Sequence, residues 1–384
     1  MRKFYFVFYP SIQGSLTEEW EQCQKQIRTT VSSEYTAIKL NIFADLPDFN
    51  TLLSFREVIV NSVFENSGNN YPAVNITIHP PEKPWKTAVE VTALLNGSAE
   101  IRSKRYENTP YVVIESDTFK EVWSAGVSSY KYPGDTYKAA TDSFTMMVNI
   151  LGIENMSLNN IVRQWNYIGN ILSTEGGSQN YQIFNEVRND FYSRYRNVKG
   201  YPAATGVGMK SGNVALDFCA LDLKGSTGIV AVNNPDQINA YDYGQEVLKG
   251  FLVREHSVKH PPKFERALII KTGKDLHLHI SGTASIIGQE TIGRDDIEQQ
   301  TLVTIRNLHN LTEKGYINQL LHKTSISDQR YSLIRVYIKS QKDFKTVRQI
   351  CDQYFPGIPA LYVEADICRD DLLMEIEAEV ELNQ

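Results

Sequence analysis

A thiol, a guanidinium and a carboxylate stand close together near the end of the chain: Cys368, Arg369 and Glu375, in FPGIPALYVEADICRDDLLMEIEAEVEL (355–382). A carboxyl group among apolar residues holds its proton toward neutral pH, because burial disfavours the charged form. Such a group is a proton donor for general acid catalysis. Strand alternation puts Glu375, Glu377 and Glu379 on one face and Met374, Ile376 and Ala378 on the other. On that pattern alone, a solvated polar face is the stronger reading. Cys368, a lone thiol, reads first as a small buried hydrophobe. Arg163 sits in IVRQWNYIG, where Ile161, Arg163, Trp165 and Tyr167 share one face of an apolar strand. A charge there needs a partner, either an anionic ligand or a structural acid. Arg188, Arg266 and Arg369 are further guanidiniums that could grip an anion. Tyr167 and Tyr201 read equally as ligand hydrogen-bonders or as core, and Pro202 biases Tyr201 to extended backbone. His277 and His279 alternate on a strand, and His256 and His260 lie in a long connecting segment. No third ligand follows by spacing, so no metal is expected and the histidines read as structural or surface groups. TGVGMKSG joins two strands rather than opening a helix, so it is not a phosphate loop.

Composition narrows the classes. The 384 residues are 42% hydrophobic and 22% charged, with a net charge of −6. That balance disfavours a broad nucleic-acid surface and leaves room for a local basic pocket. The four cysteines show no CxxC pair. No apolar run approaches the roughly 18–20 residues of a membrane span, and the N-terminal text lacks the long apolar core of a signal peptide. The expectation is a soluble, reduced, cytoplasmic protein with no membrane partner.

The elements that must position these groups come in three copies. Helix, strand, helix, strand and strand recur with the same punctuation. DFNTLLSF, NYQIFNEV and DFKTVRQI open the second helix of each copy; NYPAV, GYPAA and FPGIPA follow it; VEVTAL, LDFCAL and MEIEAE form its last strand. The alignment places Glu90, Asp217 and Glu375 in register. RDDIEQQTLVTIRNLHNLTEKG reads as one helix. The expected organisation is a degenerate unit at 1–100, a second unit at 101–222, a linker packing on the core at 223–265, and a third unit at 266–384 carrying Glu375.

This arrangement resembles the RidA/YjgF-like (chorismate-mutase-like) fold, whose α+β members assemble as trimers with active sites between subunits. Three fused copies imply an intramolecular pseudo-trimer. Deamination of imines or enamines is the first activity that the fold suggests. There, an Arg following a Pro-Ala dipeptide grips the substrate carboxylate. The matching text here is Pro72-Ala73-Val74, Pro202-Ala203-Ala204 and Pro356-Gly357-Ile358, all without Arg. Val, Ala and Ile supply no bidentate contact.

A closer resemblance is to the chorismatases. IVRQWNY, FNEVRNDFY, YPAATGVG, NNPDQINAY, PPKFERA, SGTASIIGQET and ADICRDDLLMEIE occur in the family's order. The text after SGTASI departs from the family's histidine-containing pattern, and the first unit matches poorly. The resemblance places the catalytic Glu at Glu375, which reverses the reading of that strand as a solvated face. It assigns product steering to Cys368 together with Gly282, a pairing similar to the 3-hydroxybenzoate-forming subtype. In that subtype a ring hydroxyl displaces pyruvate within chorismate, and the arene oxide rearomatises. It implies a dianionic small-molecule substrate, held by Arg163, Arg188, Arg266 and Arg369 with Tyr167 and Tyr201. It implies no metal or organic cofactor, and a monomer or weak homo-oligomer. A non-catalytic protein that binds a small aromatic acid is the remaining alternative.

Overall fold

The computed structural model describes all residues except 32–33, 226–227, 253–257 and 323; the side chain of 66 is also left aside. His256 therefore lies outside the described residues.

Three sheets follow one another along the chain. The first is built from β1 (Lys3–Phe8), β2 (Tyr35–Ala44), β3 (Ala73–Thr77) and β4 (Thr87–Leu95), with helices α1 (Leu16–Val31) and α2 (Phe49–Ser67). The second contains β5 (Glu100–Tyr106), β6 (Thr109–Glu115), β7 (Phe119–Val127), β8 (Ile161–Gly169), β11 (Ala203–Met209) and β12 (Val214–Leu223). Its helices are α3 (Thr136–Ile153) and α4 (Asn180–Tyr195), and a small hairpin, β9 (Thr174–Glu175) with β10 (Ser178–Gln179), precedes α4. The third contains β13 (Ile229–Val232), β14 (Ala267–Thr272), β15 (Asp275–Ala284), β18 (Asp328–Ile338), β19 (Ala360–Glu364) and β20 (Met374–Asn383). Beside it lie the hairpin β16 (Ile286–Ile287) and β17 (Glu290–Thr291), and helices α5 (Ile297–Thr312), α6 (Lys314–Leu321) and α7 (Phe344–Tyr354).

The sheets share a strand order: β1-β4-β2-β3, β7-β12-β8-β11 and β15-β20-β18-β19. In each, the last pair is parallel and the others antiparallel. A parallel pair needs a crossover, and the helix between its strands supplies it. Glu90 lies opposite Asn41, Asp217 opposite Trp165 and Glu375 opposite Tyr337. The three carboxylates therefore occupy one position of the repeat.

Some details differ from the sequence expectation. Ala73 and Ala203 sit opposite Lys39 and Arg163, and Leu361 sits opposite Arg335. The residue matching Val74 and Ala204 is thus Tyr362 rather than Ile358; no guanidinium occupies any of the three. The helix expected over RDDIEQQTLVTIRNLHNLTEKG is two helices. Glu313 ends α5 and caps α6, its carboxylate accepting from the backbone N–H groups of Gly315 and Tyr316. Within 223–265, Ile229–Val232 adds an edge strand to the third sheet. Among the described residues, no helix is long and apolar enough to cross a membrane.

Buried charges join the sheets in cyclic order. Lys39 of the first pairs with Asp217 of the second at 2.8 Å. Arg163 of the second pairs with Glu377 of the third at 2.5 Å. Arg335 of the third pairs with Glu90 of the first, and also with Glu377 of its own sheet. All three cations flank the indole of Trp165, at 3.7 Å for Lys39, 4.6 Å for Arg163 and 5.1 Å for Arg335. Such a location favours cations electrostatically.

Breaking one of these pairs leaves a buried charge alone, which destabilises by about 3–5 kcal/mol. Asp217→Asn is expected to lower the unfolding free energy by that amount in urea titrations. Lys39→Met combined with Asp217→Leu is expected to recover most of it, since an apolar pair leaves no uncompensated charge. Equal losses in the single and double variants would show that packing, not charge, holds this contact.

Candidate active site

A cleft of about 800 Å³, counted to its open mouth, lies between the second and third sheets. Its floor comes from β11 (Ala204, Thr205, Gly206) and from Glu375 of β20. One wall is α4, where Tyr181, Asn185 and Arg188 fall four and then three residues apart and so share a face. The roof comes from the segment before β14, with Tyr243, Leu248 and Phe264.

Glu375 is 4% exposed, and its carboxylate makes no hydrogen bond or ion pair with a described residue. Burial pushes its pKa up to about 8; the neighbouring charge of Glu377 adds to the rise, and Arg163 and Arg266 oppose it. Glu377, two residues on, has the opposite fate. It accepts from Arg163 and Thr205 on one oxygen, and from Arg335, Trp165 (3.0 Å) and Tyr337 (3.2 Å) on the other. Burial pushes Glu377 up as well, but Arg335, Arg163 and the Thr205 hydroxyl outweigh it and hold its pKa near 2. Glu379 is also spoken for, by the imidazole of His279. The glutamate face of β20 is therefore buried, not solvated.

Gly282 lies in a bulge of β15, where the register against β20 shifts between Ile280 and Thr283. Such bulges re-aim side chains. A Cβ at Gly282 would overlap Oε1 of Glu375 and meet Thr205 Cγ2 at 3.0 Å. The missing side chain is thus what gives the Glu375 carboxyl its place.

Among the described residues the cleft carries uncompensated positive charge. Arg188 is 2% and Arg266 3% exposed. Arg188 donates to Asn185 Oδ1 at 2.6 Å; Arg266 donates to the Ile238 carbonyl at 2.5 Å and the Tyr243 hydroxyl at 2.8 Å. The Nε–H of each has no partner. Neither forms an ion pair among the described residues, and the same holds for Arg369. Arg266 and Arg369 both approach the Tyr243 ring, at 5.6 and 5.3 Å. Cys368 lines the cleft with its thiol pushed up to about 12 by burial and by Glu375, so it is a neutral wall at ordinary pH.

Of the residues singled out in the sequence, the cleft gathers Glu375, Cys368, Gly282, Arg188, Arg266 and Arg369. Three others are placed elsewhere. Arg163 is fully buried behind Glu375 and engaged by Glu377, so it meets a structural acid rather than a ligand. Tyr167 fills the core beside His79, with ring centroids 5.8 Å apart. Tyr201 stacks on Tyr192 at 6.0 Å, outside the lining. Thr205, Tyr181, Asn185 and Tyr243 were not anticipated. Asn185 precedes Arg188 by one helical turn within FNEVRNDFY, a usable signal. Nothing local says where Tyr243, in a long connection, will land. Among the described residues no three metal-ligating side chains come together.

One protonated carboxyl facing a small cleft lined with guanidiniums defines an acid–base site for a small anion. The family model for chorismatase FkbO/Hyg5-like proteins, N-terminal, matches residues 95–220. A 3-hydroxybenzoate synthase of Streptomyces hygroscopicus is 30% identical over 258 residues, covering 65% of this chain and 71% of that protein. A chorismatase of Streptomyces rapamycinicus is 27% identical over 69% of this chain and 83% of its own length. A crystal structure of a chorismatase superposes with a TM-score of 0.68 at 19% identity, over 99% of this chain and 98% of that one, which shows the shared fold. The chain belongs to the chorismatase family of enzymes.

The high pKa of Glu375 depends on Glu377 both as a nearby negative charge and as the partner that occupies Arg163. Glu377→Gln removes the first and loosens the second, and both changes favour ionised Glu375. The Glu375 titration, followed by carboxyl-carbon NMR, is expected to move below 8. An unmoved titration would show that burial alone sets it.

Proposed function

We propose that this enzyme converts chorismate to 3-hydroxybenzoate and pyruvate, with Glu375 as both proton donor and proton acceptor. The observation that carries the proposal is Glu375 itself. It is the one carboxylate of three equivalent positions left without a cation, and it faces the cleft that holds the unpaired arginines. The two products together contain the atoms of the substrate and nothing else, so the reaction needs no oxidant and no net water.

A neutral Glu375 gives its proton to the methylene carbon of the enolpyruvyl ether. The ether's ring carbon–oxygen bond then breaks and pyruvate leaves with the bonding electrons. The neighbouring ring hydroxyl closes on the vacated carbon, and its proton goes to the Glu375 carboxylate. The resulting arene oxide opens as Glu375 returns that proton to the epoxide oxygen and the bond from that oxygen to its original ring carbon breaks; the hydroxyl stays on the carbon that held the ether, and loss of that carbon's C–H proton to Glu375 restores the carboxyl and the aromatic ring. Arg188, Arg266 and Arg369 balance the charge of the dianion, for which charge-assisted contacts are strong. Gly282 leaves room for the acid. Cys368, protonated and compact, shapes the wall beside it and is not a nucleophile. Arg163, Tyr167 and Tyr201 act from behind or beside the cleft in this reading.

The same proposal takes the chain as three RidA/YjgF-like units, 1–100, 101–222 and 266–384, with 223–265 covering the core. They close as a pseudo-trimer in one chain, acting as a monomer or weak homo-oligomer in the cytoplasm. The repeated strand order and the cyclic order of the buried pairs support it. No observation favours imine deamination, since Val74, Ala204 and Tyr362 stand where its Arg would be.

Purified protein given chorismate is expected to release pyruvate and 3-hydroxybenzoate in equal amounts. Glu375→Gln is expected to lower kcat by roughly 10²–10⁴, the usual contribution of a general acid. A folded variant with the parental rate would remove Glu375 from the mechanism. Because the neutral acid is required, kcat/KM is expected to fall tenfold per pH unit above about 8. Gly282→Ala is expected to lower kcat without unfolding the protein, by displacing the Glu375 carboxyl. An alanine variant as fast as the parent would show that the acid has slack there.

A further inference from the structure

A second cleft lies between the first and second sheets, built from the repeat equivalents of the elements around Glu375. Its wall is α2, as α4 walls the catalytic cleft. The motif pair DFNTLLSF and NYQIFNEV, extended by one residue, sets Arg56 on Arg188. The turn before β6, at Asn108, matches the turn before β14 that carries Arg266. The segment after β7, Ser128 to Lys131, matches the segment after β15.

We propose that this cleft binds a small planar carboxylate, of the aromatic-acid class, and does not turn it over. Arg56 is 9% exposed, donates among the described residues to the Asn108 carbonyl alone, at 3.4 Å, and lies 5.0 Å from the Tyr130 ring. Arg105 lies over Phe64 at 4.0 Å. Neither has an ion-pair partner among the described residues. Lys131 adds a third cation, and Glu57 and Glu107 also reach the lining, so the cleft stays positive by one charge. Guanidiniums beside aromatic faces suit a ligand with a flat ring and a carboxylate.

The counterpart of Glu375 does not line this cleft. Asp217, the equivalent of Glu375, is 0% exposed, paired with Lys39, and accepts from the Gly126 N–H at 2.8 Å and the Asn75 amide at 3.2 Å. At the third interface the matching helix position is Cys351, fully buried with its thiol pushed up by desolvation, so no cation is offered there.

Crystals of the full chain soaked with 3-iodobenzoate report each occupied cleft by the anomalous signal of iodine. A peak beside Arg56 and Tyr130 is expected; its absence overturns the proposal. Solution titration with 3-iodobenzoate then separates a built site from binding at crystal concentration only. Arg105→Gln, at an exposed position, is expected to weaken this site roughly tenfold or more, the scale of a lost charged hydrogen bond, and Arg56→Gln to abolish it. Both should leave chorismate turnover at saturation unchanged. Solution affinities identical to the parent in both variants would overturn the assignment. If Arg56→Gln fails to fold, Arg105→Gln decides alone. The readout is binding, so it stands apart from whether chorismate is the substrate.

Discussion

Everything about this molecule rests on a knot of buried charge around Trp165. Three cations approach one indole, and each is answered by a carboxylate from another sheet. Moving such ions out of water costs several kcal/mol each, and only good geometry with additional hydrogen bonds offsets it. The arrangement therefore tolerates little sliding. A sheet displaced by one residue would turn its charged side chain to the other face and leave its partner unpaired. The cyclic pairing is thus a constraint on register as much as a source of stability.

The raised carboxyl of Glu375 arises from one irregularity in that pattern. If the repeat were strict, Arg163 would meet Glu375 as Lys39 meets Asp217 and Arg335 meets Glu90. It meets Glu377 instead, and Glu377 also takes Arg335, Trp165, Thr205 and Tyr337. The bulge at Ser281-Gly282 accompanies this shift and opens space beside Glu375. One carboxylate is saturated with donors and held near pKa 2; the next on the same face has none and rises to about 8. Two environments separate two chemically identical groups, as acid–base sites require.

The architecture was legible because strand alternation and helix spacing are local. The recurrence of NYPAV with GYPAA, and of VEVTAL with LDFCAL and MEIEAE, located the repeat and aligned Glu90, Asp217 and Glu375. What local pattern could not supply was partner choice. IVRQWNY announces a buried charge at Arg163, but two kinds of partner satisfy it, and only the approach of β20 settles which. Tyr167 is similar: its position on an apolar face is equally suited to core and cleft. The roof residue Tyr243 was hidden for another reason. A loop of that length has no periodicity, and its landing place follows from tertiary contacts such as the hydrogen bond from Arg266. The break at Glu313 was missed because a capping carboxylate looks the same in sequence as a helical surface one.

The single unpaired acid also explains why the copies differ. A carboxyl raised from 4.5 to about 8 makes the folded state bind a proton that the unfolded state releases, so stability falls as pH rises between those values. Over the whole window the loss is on the order of 5 kcal/mol, and about 3 kcal/mol of it is present at pH 7. A protein's total stability is about 5–15 kcal/mol. Three identical chains around an axis must repeat every interface residue, so each chain would carry an unpaired acid against its own margin and no interface would be left for a paired one. Three unlike copies in one chain are free of that requirement. Two positions keep their acids paired, as Glu90 with Arg335 and Asp217 with Lys39, and hold the sheets together. The third, Glu375, is left without a pair and holds its proton up to about pH 8.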